Sequence, residues 1–233
     1  MAEASGLEGG LEGVMLRVRV KICGIRTTEE AALAVELGAD ALGFNFWEGS
    51  PRRISPDEAA RIINALPPLV SSVGVFVNES QDTVRFVAMR LRLAAVQLHG
   101  DESPEYCAGL GPLKTIKALR VGPGFSPESV KEYPSSTILL DSRVAGSYGG
   151  TGQQFDWRAA IEARQYARII LAGGLNVANV EDAIQSVRPV AIDVCSGVEA
   201  EPGRKDPALV RAFMSAVHRS NARLANTEEG AAI

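Results

Sequence analysis

The chain has only two histidines, His99 and His218, and three cysteines, Cys23, Cys107 and Cys195, spread over 233 residues. So few histidines argue against a histidine-rich metal centre and against a Ser-His-Asp hydrolase. Cysteines this far apart and odd in number suggest neither a disulfide framework nor a zinc cluster. The reading is of a protein from the reducing cytoplasm. There is no excess of basic residues: the formal net charge is −4, which leaves a nucleic-acid partner without an electrostatic footprint. No apolar run approaches the about 20 residues of a membrane span. The first residues lack a basic-then-apolar leader pattern. Residues 1–15, rich in Gly, Glu and Ala, read as a disordered extension, and 221–233 as a flexible tail. No proline- or serine-rich linker divides 16–220, which is expected to form one domain.

What is present is ordinary for a globular protein, 46% apolar and 22% charged residues, arranged with a strong period. Eight β-branched apolar runs occur, beginning near Arg17, Ala41, Ser72, Ala95, Thr115, Thr137, Arg168 and Val190. Each is followed by a helix-like stretch. Start signals mark several helices, such as Thr27-Thr28-Glu29-Glu30 and Ser55-Pro56-Asp57-Glu58, where a hydroxyl precedes acids in the first turn. Strand then helix at roughly 25-residue spacing is the signature of βα units and a parallel sheet. Eight units in a chain of this length imply an α/β fold, a (β/α)8 barrel. A doubly wound sheet is the alternative, but Gly24 stands without a Gly-x-Gly-x-x-Gly pattern.

In such a barrel the residues just past each strand converge on one rim. That rim would collect Cys23, Gln97, His99, Lys117, Asp141, Gly173, Gly174, Asp193, Ser196 and Gly197. Gly173-Gly174 and Ser196-Gly197 end the seventh and eighth strands, where backbone N–H groups can cradle a phosphate; glycines there could equally just make tight turns. Gly150 and Gly152 in the sixth loop add to that cradle. Asp141 closes an apolar strand and could act as a general acid, or cap a helix. Arg52, followed by Arg53, could hold a carboxylate bidentately, or simply be solvated. Asp193 reads as a carboxylate paired inside the barrel, with Lys117 a conceivable partner. His99 faces a ligand or is a satisfied loop histidine. Cys23 taken alone is more often a small packed apolar residue than a nucleophile or base.

Taken in order, Lys21-Ile22-Cys23-Gly24-Ile25, Gly38-Ala39-Asp40-Ala41-Leu42-Gly43-Phe44, Ser50-Pro51-Arg52, Val96-Gln97-Leu98-His99-Gly100, Leu139-Leu140-Asp141, Gly150-Thr151-Gly152, Leu171-Ala172-Gly173-Gly174-Leu175 and Asp193-Val194-Cys195-Ser196-Gly197-Val198-Glu199 resemble the phosphoribosylanthranilate isomerases of tryptophan biosynthesis. The resemblance runs from about Arg17 to the final helix. It implies a (β/α)8 barrel, monomeric or homodimeric, acting on a small phosphosugar without metal or cofactor. It further implies Cys23 as general base, Asp141 as general acid and Arg52 facing the anthranilate moiety. The phosphate would lie on Gly173, Gly174, Ser196 and Gly197, with Gly150 and Gly152 nearby. Two departures stand out. Arg53 follows Arg52, so the two could trade roles, and Cys195 stands where a serine is common. Two other readings remain: a histidine-pathway aminoaldose isomerase, whose pattern has two aspartates as acid and base, and a non-catalytic phosphate-binding barrel.

Overall fold

The structure, a computed structural model, describes residues 17–133, 137–142 and 156–231, with side chains described through 226. The expected extension 1–15 and the loop glycines Gly150 and Gly152 lie outside the described residues. Eight parallel strands close into a barrel in chain order. They are β1 (Arg19–Cys23), β2 (Ala41–Asn45), β3 (Ser71–Phe76), β4 (Ala95–Leu98), β5 (Thr115–Val121), β6 (Thr137–Ser142), β7 (Arg168–Leu171) and β8 (Ala191–Val194). Helices α1 (Thr28–Glu36), α2 (Pro56–Asn64), α3 (Gln81–Leu91) and α4 (Pro104–Gly109) follow the first four strands. Helices α5 (Arg158–Ala163), α6 (Val180–Val187) and α7 (Pro207–Ala231) follow β6, β7 and β8.

The helix starts follow from local chemistry. Thr27 Oγ1 accepts from Glu30 N at 3.2 Å, and Ser55 forms a reciprocal capping box with Glu58. A cap of this kind is worth about 1 kcal/mol. After β5 the expected helix is a 3₁₀ segment over Pro127–Glu132, begun without a side-chain cap at Ser126. A short uncapped turn has too little length to repay helix nucleation. The last helix is longer than its sequence pattern indicates: residues 221–231 continue it where a flexible tail was expected. Asn221 donates to Val18 O at 3.0 Å and accepts from Val18 N at 2.9 Å, and Leu224 is buried. That reciprocal amide pairing ties the helix to the entrance of β1.

Two apolar layers result. Val20, Ile22, Leu42, Phe44, Leu98, Ile138, Leu140, Ile192 and Val194 point outward and pack under the helices. Ala118, Leu139, Ile170 and Ala172 fill the barrel. The alternation of strands sends the intervening residues to the opposite face. On β1 the inward face therefore carries Lys21 and Cys23, polar residues held inside the barrel. Glycine at position 43 on neighbouring β2 makes room for them. A Cβ there would fall 2.7 Å from Cys23 Sγ and 3.0 Å from Lys21 Nζ. Among the described residues, no helix is long and apolar enough to cross a membrane.

Candidate active site

The inward, C-terminal ends of β1 and β8 form one electrostatic unit. Lys21 is in register with Asp193, and its Nζ donates to Asp193 Oδ1 at 2.9 Å with both side chains buried. This corrects the expected pairing of Asp193 with Lys117. Lys117 alternates on β5 with Ile116 and Ala118, which join the inner cluster, so its side chain leaves the barrel on the other face. There it donates to Glu102 Oε2 at 2.7 Å and to Gly100 O at 2.8 Å. Glu102 in turn accepts from the backbone N–H groups of Asn78 and Gly100. The Lys117–Glu102 pair is thus an internal strut for the loops after β3 and β4, outside the rim where Lys117 was expected.

Cys23 ends β1, and Cys195 lies just past β8. The influence of the Cys195 thiol is the largest one holding the Cys23 thiol well below its ordinary value; it acts against burial and is helped by Lys21 and Lys205. The Cys23 thiol, with burial, in turn pushes Cys195 up. The electrostatics therefore favour a thiolate on Cys23 and a proton on Cys195. Burial pushes Asp193 up to about 7 against the pull of Lys21. Burial alone would lower the Lys21 ammonium, but Asp193 and Cys23 hold it above its usual value.

A second cluster was not anticipated. Pro202-Gly203 turns the chain between β9 (Glu199–Glu201) and β10 (Arg204–Lys205), an antiparallel hairpin after β8. The hairpin returns Lys205 to Glu199, whose Oε1 accepts from Lys205 Nζ at 2.9 Å. Arg52, in the loop after β2, donates through Nε and Nη2 to the same carboxylate at 3.0 and 2.8 Å. Lys205 Nζ also reaches Cys195 Sγ at 3.7 Å. Arg52 is buried while Arg53 lies outside, paired with Glu48 at 3.0 Å. The Pro-Gly dipeptide was the one sequence signal for this hairpin.

Across the mouth, His99 and Asp141 meet. His99 Nε2 is 3.1 Å from Asp141 Oδ2, and His99 Nδ1 is 2.8 Å from the Gln97 amide nitrogen. An amide N–H donated to Nδ1 leaves the imidazole proton on Nε2, facing Asp141. Asp141 Oδ1 accepts from Ser142 N at 2.8 Å. Gly173 packs against this strand: a Cβ there would lie 2.9 Å from Asp141 Oδ1. Gly173 and Gly174 both take left-handed backbone, with φ of 78° and 68°. Ser196 and Gly197 begin the short 3₁₀ turn Ser196–Val198. Gly197 sits so close to β7's loop that a Cβ would fall 1.9 Å from Leu175 O. The glycine ends of β7 and β8 therefore lie against one another. The structure brings Cys23 to a cationic, thiol-rich pole and Asp141 to a histidine pole of one rim, between which Asp193 interacts with Lys21, Cys23 and His99.

Comparison with known proteins agrees with the barrel fold. The family model for N-(5'phosphoribosyl)anthranilate (PRA) isomerase matches residues 20–216. The N-(5'-phosphoribosyl)anthranilate isomerase of Trichlorobacter lovleyi is 52% identical over 198 residues, covering 84% of this chain and 96% of that one. The crystal structure of phosphoribosyl anthranilate isomerase from Thermus thermophilus superposes with a TM-score of 0.80 at 39% identity, covering 87% of this chain and 99% of that one. A structure of a phosphoribosyl anthranilate isomerase in complex with reduced 1-(o-carboxyphenylamino)-1-deoxyribulose 5-phosphate superposes with a TM-score of 0.76 at 43% identity, over 87% and 99% of the two chains. A closed eight-strand barrel whose residues 20–216 match the family model, with a relative 52% identical over 96% of that relative's length, places this chain in the N-(5'-phosphoribosyl)anthranilate isomerase family.

Proposed function

We propose that this chain converts N-(5-phosphoribosyl)anthranilate to 1-(o-carboxyphenylamino)-1-deoxyribulose 5-phosphate, with Cys23 the general base and Asp141 the general acid. The observation that carries the reading is the thiol of Cys23 at the end of β1, under the influence of the Cys195 thiol and of the Lys21 and Lys205 ammonium groups, at the mouth of a barrel of this family.

The reaction opens an aminofuranose ring and moves a proton. Asp141 in its acid form protonates the ring oxygen as the C1′–O bond breaks, and the nitrogen lone pair forms an iminium. His99, at hydrogen-bond distance from Asp141, is the group that orients this carboxyl and exchanges a proton with it. The iminium acidifies the C2′ proton, so a modest base suffices. The Cys23 thiolate removes it, and the resulting enolamine tautomerises to the ketone with a proton returned to C1′. A thiol at its ordinary value of about 8.5 would be largely protonated at neutral pH; the second thiol and the cations around Cys23 make the basic form available. The backbone at Gly173, Gly174, Ser196 and Gly197 receives the phosphate, as the C-terminal ends of strands 7 and 8 do in many barrels. Gly150 and Gly152 belong to the same proposed cradle. Arg52, already oriented by Glu199, faces the anthranilate carboxylate. Anchors at two edges of the rim hold the substrate between acid and base, which supplies the positioning part of the rate.

The test is turnover of phosphoribosylanthranilate by the purified chain, followed as loss of anthranilate fluorescence, beside the corresponding histidine-pathway aminoaldose. Turnover of the first alone supports the reading; turnover of the second alone overturns it.

A further inference from the structure

We infer that Cys23 and Cys195 are a peroxide-responsive dithiol, a modification site at the barrel mouth that closes to a disulfide. The register of the β1–β8 seam carries the argument. Val20 stands opposite Ile192, Lys21 opposite Asp193 and Ile22 opposite Val194. Cys23 and Cys195 are the residues that directly follow the Ile22–Val194 pair, Cys195 lying just past the end of β8. Neighbouring strands lie about 4.8 Å apart, inside the Cα separations of about 4.4–6.8 Å that a disulfide spans. Each thiol influences the charge of the other. The turn at Gly24 lies against the same sulfur: a Cβ there would be 3.2 Å from Cys195 Sγ. Closure joins two chain positions that directly follow a paired register, with the pairing of β1 and β8 left in place.

The surroundings select this pair over the remaining thiol. Lys21, Lys205 and Arg52 surround the two sulfurs with positive charge, and Lys205 Nζ is 3.7 Å from Cys195 Sγ. Cys107 is buried on α4, where burial pushes its thiol up. Reactivity toward peroxide follows thiolate character. In the first step the Cys23 thiolate attacks one peroxide oxygen; an S–O bond forms, the O–O bond breaks and hydroxide leaves. In the second the Cys195 sulfur attacks the sulfenic sulfur; an S–S bond forms, the S–O bond breaks, and the departing hydroxide takes the Cys195 proton as water. The proton first shed by Cys23 neutralises the earlier hydroxide. Two thiols lose two electrons, and the peroxide becomes two waters. The disulfide also shields Cys23 from the irreversible higher oxidation states. In a reducing compartment it would be transient and reopened by a dithiol reductant.

An effect on turnover rests on the proposed role of Cys23; formation of the disulfide does not. The full chain is treated with hydrogen peroxide, alkylated, and mapped by peptide mass spectrometry with parallel activity measurements. The expected result is one linked Cys23–Cys195 peptide pair with Cys107 still alkylated, and activity that falls with the link and returns with dithiothreitol. In Cys195→Ser, an isosteric change, Cys23 instead gains two or three oxygens that dithiothreitol does not remove. Absence of the linked peptide, or full recovery of the Cys23 thiol in Cys195→Ser, overturns the inference. A linked pair with undiminished turnover supports the site and overturns Cys23 as base.

Discussion

Lys21 Nζ lies 2.9 Å from Asp193 Oδ1 inside the barrel, and the same ammonium faces Cys23 two residues along β1. One cation thus offsets a buried carboxylate and helps hold a thiol in its basic form. Lys21→Met keeps the stem and removes the charge. The Cys23 thiol then moves up toward its ordinary range of about 8.5. Because the thiolate is the active form, the acidic limb of kcat/KM moves to higher pH. Asp193, already pushed up to about 7 by burial, takes a proton in place of its lost partner. The stability loss therefore falls at or below the low end of the about 3–5 kcal/mol seen on breaking buried pairs. A pH–rate profile checks the first point and a thermal melt the second; an unmoved limb removes Lys21 from the tuning of Cys23.

Cys23→Ser and Asp141→Asn each remove one proton carrier while keeping size and shape. Each is expected to lower kcat by about two to four orders of magnitude. Affinity for a reduced product analogue, measured by calorimetry, should stay within a few-fold of wild type. Wild-type kcat in either variant would end that residue's assignment.

Arg52 and Arg53 make opposite predictions despite being neighbours. Arg52 is buried and oriented by Glu199, whereas Arg53 holds an exposed pair with Glu48. Arg52→Ala loses a charge-assisted contact worth about 1.5–3 kcal/mol, which is about a 10- to 150-fold rise in KM. Arg53→Ala changes an exposed pair worth about 0–1 kcal/mol and leaves KM nearly unchanged. Steady-state kinetics on the two variants decides which arginine meets the substrate.

Gly197→Ala tests the junction of the last two strand ends. The added Cβ would fall 1.9 Å from Leu175 O, a backbone atom that cannot move aside without shifting the loop after β7. Overpacking of this kind costs about 1–3 kcal/mol. Urea unfolding should show that loss, and inorganic phosphate should compete more weakly against substrate in the variant. Unchanged stability would contradict the packing described.

The repeating strand–helix pattern, the caps at Thr27 and Ser55, and the ordered motifs from Lys21 to Glu199 were legible in the amino-acid order, because they depend on local periodicity and neighbouring residues. That was enough for the barrel and for the rim positions of Cys23, His99 and Asp141. The pairings were decided by the closed sheet. Lys117 was a fair partner for Asp193 until strand parity turned it outward to Glu102, while register set Lys21 directly beside Asp193. Glu199 and Lys205 entered the site only through a hairpin that bends back on itself. The closing of β8 onto β1 likewise brought Cys195, 172 positions from Cys23, into contact with it, since a barrel joins its first and last strands. A lone cysteine at a strand end carries no charge state of its own; the cations and the second thiol that set it arrive from distant parts of the chain, and only the tertiary fold brings them there.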